Sequence, residues 1–174
     1  MAIPPIVELT GGALPTGPQF WLDAATAQVR RYCEWHVTPE IEEDIVLDGS
    51  GARSLLLPSK NVVQLLACTD AGVDVLADVD VSDKGILTRR SGCWSRRHGA
   101  IRITVRHGYE SAPDVAGVIA GVAARAAMSP GNVTRQNVGP MGVSYGTVGG
   151  APISLPLLQS EKDALAPYKL NWGP

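Results

Sequence analysis

Between Ala100 and Ala127 the spacing of apolar residues changes from two to about three and a half, which marks a seam between two kinds of structure. Ile101, Ile103 and Val105 alternate with Arg102, Thr104 and Arg106, predicting a strand with one apolar and one cationic face. After Gly108 the alternation stops. Pro113 suits a first helical turn, Asp114 puts a carboxylate near the positive end of the helix dipole, and Val115, Val118, Ile119 and Val122 recur at helical spacing. The pattern predicts a helix over 113–128.

Upstream, Leu22, Ala25, Val29, Tyr32 and Cys33 share one helical face, predicting a first helix over 18–36 that Pro39 stops. From about 42 to 107 the chain reads as short strands punctuated by Asp48-Gly49, Asp70-Ala71-Gly72, Asp83-Lys84-Gly85 and Ser91-Gly92. VDVLADVDVSDKG reads as one of these strands with its turn. Tight turns between short strands imply an antiparallel sheet, sandwich or small barrel rather than βαβ units. Downstream, residues 130–158 have little helical period and read as a long extended segment, in which Met141, Val143 and Tyr145 alternate as a strand would. Ser160 and Asp163 have capping-box spacing, opening a short helix over 160–166 that Pro167 limits. The fold class expected is α+β, with helices flanking an inserted antiparallel β module. Residues 1–17 form an extended arm, 18–170 a single domain and 171–174 a tail.

Composition narrows the function classes. At 174 residues the chain is long enough for one core, and its net charge of −2 lacks the basic character that drives sequence-independent duplex binding. Glycine and proline total 32 (19 + 13) and gather near the N-terminus and between Pro130 and Pro156, where loops are expected. The N-terminal residues have no secretory pattern and no apolar run reaches the roughly 18 residues of a membrane helix, so a cytosolically made chain without membrane partners is expected. Cys33, Cys68 and Cys93 form no C-x-x-C pair, and buried free thiols are expected at all three.

Each chemical motif has a plain structural alternative. Cys93 near Arg96 and Arg97, with His98 and His107, is the one set that resembles a cysteine nucleophile, but its spacing fits no known signature. His36, His98 and His107 lack metal-ligand spacing, and ADVDVSD lacks the glycine and closing glutamate of a calcium loop; neither a metal nor a cofactor is expected. The runs NVGPMG and GTVGG lead into no helix and carry no Lys-Ser/Thr, so they make no phosphate cradle. Arg89, Arg90, Arg102 and Arg106 belong to the one dense cationic cluster and are candidates for a charged interface or channel patch, against the alternative of arginines paired with neighbouring carboxylates. In the helix GVIAGVAARAA, Gly117, Gly121 and Ala124 allow close backbone approach, either to the chain's own core or to a neighbouring copy.

YCEWHV in the first helix, LLLPSKNVVQLL in the β module, the G-I-L-x-R…W strand pair, the HGYESAPDV junction and the late NVGPMGVSYG segment together resemble the head-to-tail adaptor proteins of long-tailed double-stranded DNA bacteriophages. The likeness is to the siphophage type, particularly of actinobacterial hosts, and covers roughly residues 18–170. It implies a helical connector core carrying a β insertion, and a structural, non-enzymatic virion protein at the head–tail junction. Such a protein assembles as a homo-oligomeric ring, usually a dodecamer, docks on the portal, extends a channel through which DNA passes without sequence-specific binding, and meets a stopper or tail-completion protein. The corresponding C-terminal segment places Leu165, Tyr168 and Trp172 as portal-docking anchors. Two other readings are a stopper or tail-terminator ring, and a small cytosolic enzyme or ligand-binding domain using Cys93 and His98.

Overall fold

A computed structural model describes residues 17–128, 135–138, 141–144, 147–148, 151–152 and 156–170, with side chains in 17–128 and 156–170. The fold is α+β. Two compact units make up the chain, one from residues 1–29 and 114–164, the other from 30–113 and 165–174.

The first unit is helical with short hairpins. Helix α1 (Pro18–Cys33), most of which lies here, buries Ala25 and Val29 at a four-residue spacing that Cys33 continues. It stops three residues short of the expected His36, because Glu34 adopts a left-handed backbone with φ +68°. Helix α2 (Pro113–Met128) has its proline and aspartate at the predicted end and buries Val115, Val122, Ala123 and Ala126. Val118 and Ile119 are only half-buried.

Helix α3 (Gln159–Leu165) starts one residue before the expected Ser160. Its cap is not the Ser160–Asp163 pair. The Glu161 carboxylate accepts a hydrogen bond from Leu158 N–H at 2.8 Å, the return half of a capping box, while Asp163 accepts one from the Gln159 side chain. The side chain that wins is the one three residues beyond Leu158, the residue that precedes the helix. Four strands occupy parts of the segment expected to be extended: β8 (Arg135–Val138) pairs with β9 (Met141–Ser144), and β10 (Thr147–Val148) with β11 (Ala151–Pro152), all antiparallel.

The second unit carries the β module. Strands β1 (Ile41–Leu47), β3 (Val62–Asp70), β4 (Val73–Asp74) and β7 (Ile101–His107) form one antiparallel sheet in the order β1-β7-β3-β4. A second sheet is ordered β2-β6-β5, from β2 (Ser54–Leu56), β5 (Val79–Val81) and β6 (Ile86–Arg89). One hydrophobic cluster joins both: Leu55 and Leu87 from the second sheet meet Cys68, Ile101, Ile103 and Val105 from the first, with the buried Trp94 among them. VDVLADVDV is two strands rather than one, split by a 3-10 turn at Leu76–Asp78 whose Leu76 N–H is captured by the Asp74 carboxylate. Strand β7 is the centre of its sheet, and its alternation is as read from sequence: 101, 103, 105 and 107 are buried, while Arg102 and Arg106 are exposed. No described helix is long and apolar enough to cross a membrane.

Candidate functional site

Within the second unit, several of the sequence motifs singled out above converge on one place, the end of β7. His107, Gly108 and Tyr109 leave the sheet there. Gly108 N–H donates to Asn61 C=O and the Asn61 side-chain amide donates to Gly108 C=O at 2.7 Å, so the HGY and SKN motifs lock each other. Tyr109 N–H donates to Val37 C=O at 2.8 Å, bringing in YCEWHV. The C-terminal segment closes the group: Trp35 Nε1–H donates to Tyr168 C=O at 2.6 Å, Leu170 N–H to Cys33 C=O and Lys60 Nζ to Lys169 C=O. The Tyr109 ring stands edge-on to Tyr168 with centroids 5.4 Å apart and lies 6.0 Å from Trp35.

Glycine at 108 is required by the close approach. Its φ is +106°, and a Cβ built there would lie 2.5 Å from His36 Nε2 and 2.6 Å from Pro39 O. The segment packed over it is itself strained, since Glu34 and Val37 both have positive φ, unusual for a β-branched residue. Packing holds Val37 there, since it is 1% exposed.

Three ligating side chains meet at this junction: His36, Glu43 and His107 offer donor atoms that all lie within 4.8 Å of one another. Their distance in sequence hides them from any local spacing rule; β1–β7 pairing places Ile41 opposite His107 and so brings Glu43 alongside. His107 is 1% exposed and its Nε2 is 3.1 Å from the Glu43 carboxylate, while its Nδ1 is buried with no hydrogen-bond partner. His36 Nε2–H donates to Pro39 C=O at 3.0 Å. Burial pushes the His36 imidazole below its ordinary pKa, and neighbouring His107 pushes the same way against the pull of Pro39 C=O and Glu43.

The nucleophile set is not assembled. Cys93 is exposed, correcting the expectation of three buried thiols; it directly follows the bend at Ser91-Gly92, where Gly92 has φ +74°. His98 is exposed and paired with Asp48 at 3.2 Å, and His107 is committed to Glu43 and His36. Cys33 and Cys68 are buried, and burial pushes both thiols up to about 11, so they stay protonated at neutral pH. A cavity of about 290 Å³ on the outer face of the first sheet is lined by Asp44, Thr69, Arg102 and Thr104 among others, with neither histidine nor cysteine.

The four cluster arginines do not share one environment. Arg89 bridges Asp78 at 2.8 Å and Asp70 at 3.4 Å and covers the Trp94 ring at 5.4 Å, a structural position beside the core. Arg90 pairs with Asp80 at 2.7 Å on the exposed surface. Arg106 reaches Glu40 and Glu42 only at 3.8 and 4.0 Å, and Arg102 makes no ion pair among the described residues.

Gly117 and Ala124 are exposed and Gly121 is half-buried, so this stripe lies opposite the buried face of α2; nothing lies within 4 Å of a Cβ built at Gly117. Beside it, Arg125 makes a bidentate pair with Glu161 at 2.5 and 2.9 Å. Leu165 is fully buried, which makes it an anchor within its own chain, and Tyr168 is half-buried. Trp172 lies outside the described residues.

No family model and no curated protein matches the chain. Among solved structures, it resembles a chain from the neck of a native gene transfer agent (GTA) particle computed with C12 symmetry, with a TM-score of 0.55 and 16% identity over 78% of this chain and 86% of that one. It also resembles a chain from the neck of an empty GTA particle computed with C6 symmetry, with a TM-score of 0.55 and 14% identity over 90% of this chain and 80% of the other.

Proposed function

We propose that this chain is a structural neck protein of a phage-like particle, assembled as a homo-oligomeric ring at the head–tail junction and acting without catalysis. The observation that carries the reading is the fold likeness to two neck chains, which spans most of both partners in each comparison. The ring docks on the portal, extends the DNA channel and receives a stopper or tail-completion protein; the siphophage type with an actinobacterial host and a dodecameric ring belong to the same proposal. Supporting it locally, the exposed α2 stripe of Gly117, Gly121 and Ala124 has room for a neighbouring backbone, and Arg102 and Arg106 project from the outer sheet face toward solvent. With Leu165 buried, portal docking falls to the exposed part of Tyr168 and to Trp172.

The test is electron microscopy of particles made without this chain. DNA-filled heads lacking tails are expected, and normally tailed particles would refute the proposal. Cys93→Ala should leave particle yield and infectivity unchanged. A correctly folded C93A protein that abolished function would instead favour chemistry at that thiol.

A further inference from the structure

The His36–Glu43–His107 junction is unexplained by a neck role, and three observations there converge. Two imidazoles and a carboxylate, the donor types that suit a first-row transition metal, lie within 4.8 Å of one another. One pair already has ligand spacing: two ligands on a tetrahedral zinc are separated by about 3.3 Å, from a bond length of roughly 2.0–2.1 Å, and His107 Nε2 stands 3.1 Å from Glu43 Oε2. His107 is 1% exposed, so it presents its ring to the site from within the packed interior, and its second ring nitrogen, Nδ1, is buried without a hydrogen-bond partner.

We propose that His36, Glu43 and His107 form a binding site for one divalent transition-metal ion of the zinc class, with water completing its coordination. The ion staples residues 34–40 to β1 and β7. That loop contains the strained Glu34 and Val37, so the contact that holds it has most to contribute there. Glu43 has a half-exposed side chain that swings without disturbing the core, and it gives the ion a path in from solvent. The site stands independently of the neck reading.

The experiment uses the full chain without any histidine tag, in a Cys93→Ser, His98→Ala background that removes the other accessible soft donors. After chelator treatment, cobalt(II) and then zinc(II) are titrated in at neutral pH. The expected result is one equivalent of cobalt with the visible d–d absorption of a tetrahedral nitrogen- and oxygen-ligated site, displaced by zinc, and a zinc-dependent rise in melting temperature. Glu43→Gln and His36→Ala, which alter the more accessible ligands, should each weaken zinc binding by at least about tenfold, the loss that even an outer-shell partner brings. Circular dichroism checks that both variants fold. Absence of a stoichiometric cobalt spectrum, or equal zinc affinity in the background protein and both folded variants, overturns the site and leaves His107–Glu43 as a simple hydrogen-bonded contact.

Discussion

Replacing Gly108 by alanine tests whether the junction at the end of β7 is held by close backbone approach. The new Cβ would sit 2.5 Å from His36 Nε2, 2.6 Å from Pro39 O and 3.2 Å from Glu40 Cα. A rotating imidazole relieves the first contact, but the other two are backbone. The left-side φ of +106° costs an alanine about 1–3 kcal/mol, and forced overpacking adds about 1–3 kcal/mol. Gly72→Ala is the matched control, because Gly72 has φ +84° and nothing within 4 Å of its Cβ, so only the conformational part applies. Both substitutions equally reduce the freedom of the unfolded chain, which cancels in the comparison. Urea unfolding of the second unit, followed by tryptophan fluorescence, should therefore show Gly108→Ala less stable than Gly72→Ala by about 1–3 kcal/mol. Two variants agreeing within about 0.5 kcal/mol, the usual scatter of an uneventful surface change, would mean that the junction gives way freely and that no tight approach exists.

The same reasoning extends to other contacts. Trp35→Phe removes the indole N–H that Tyr168 C=O accepts, and should cost about 1–3 kcal/mol while lowering amide-exchange protection at Leu170; unchanged protection would show that the C-terminal segment is held elsewhere. Burial raises the Glu161 carboxyl, but hydrogen bonds from Arg125 and Leu158 N–H, with the Arg125 charge, outweigh it and hold the group below its ordinary range. Its contribution is thus complete above the ordinary carboxylate pKa and lost as pH falls through the lower folded value; Glu161→Gln should flatten that acid limb of a melting-temperature profile, and superimposable profiles would contradict the assignment. In the native protein one thiol, Cys93, should react promptly with a maleimide and the other two only after denaturation; mass spectrometry showing prompt labelling of Cys33 or Cys68 would dispute their burial. Gly117→Leu should raise stability by up to about 1 kcal/mol through helix propensity, because its side chain enters open space, yet block ring assembly on heads; normal assembly would move the subunit contact off α2.

What the chain's own sequence determined is what depends on neighbours a few residues away. Alternation at 101–107 set which face of β7 is buried, turn residues set where most of the strands of the module end, and Pro113 with Asp114 set where α2 begins. Three local readings failed for local reasons of competing strength: α1 ends where Glu34 turns left-handed, Glu161 rather than Asp163 reaches the capping position, and Asp74 breaks VDVLADVDV by capturing a backbone N–H. The tertiary structure alone decided which of the charged and ligating residues meet. Arg89 and Arg102 look alike along the chain, but sheet packing gives one two carboxylates and an indole ring and leaves the other in solvent. His36 and His107 lie 71 residues apart (107 − 36); the antiparallel register between β1 and β7 brings Glu43 to His107, and the packing of the Val37 segment on Gly108 and Tyr109 brings His36 to both. Periodicity reports the face a residue occupies; only the closing of long loops fixes what it faces.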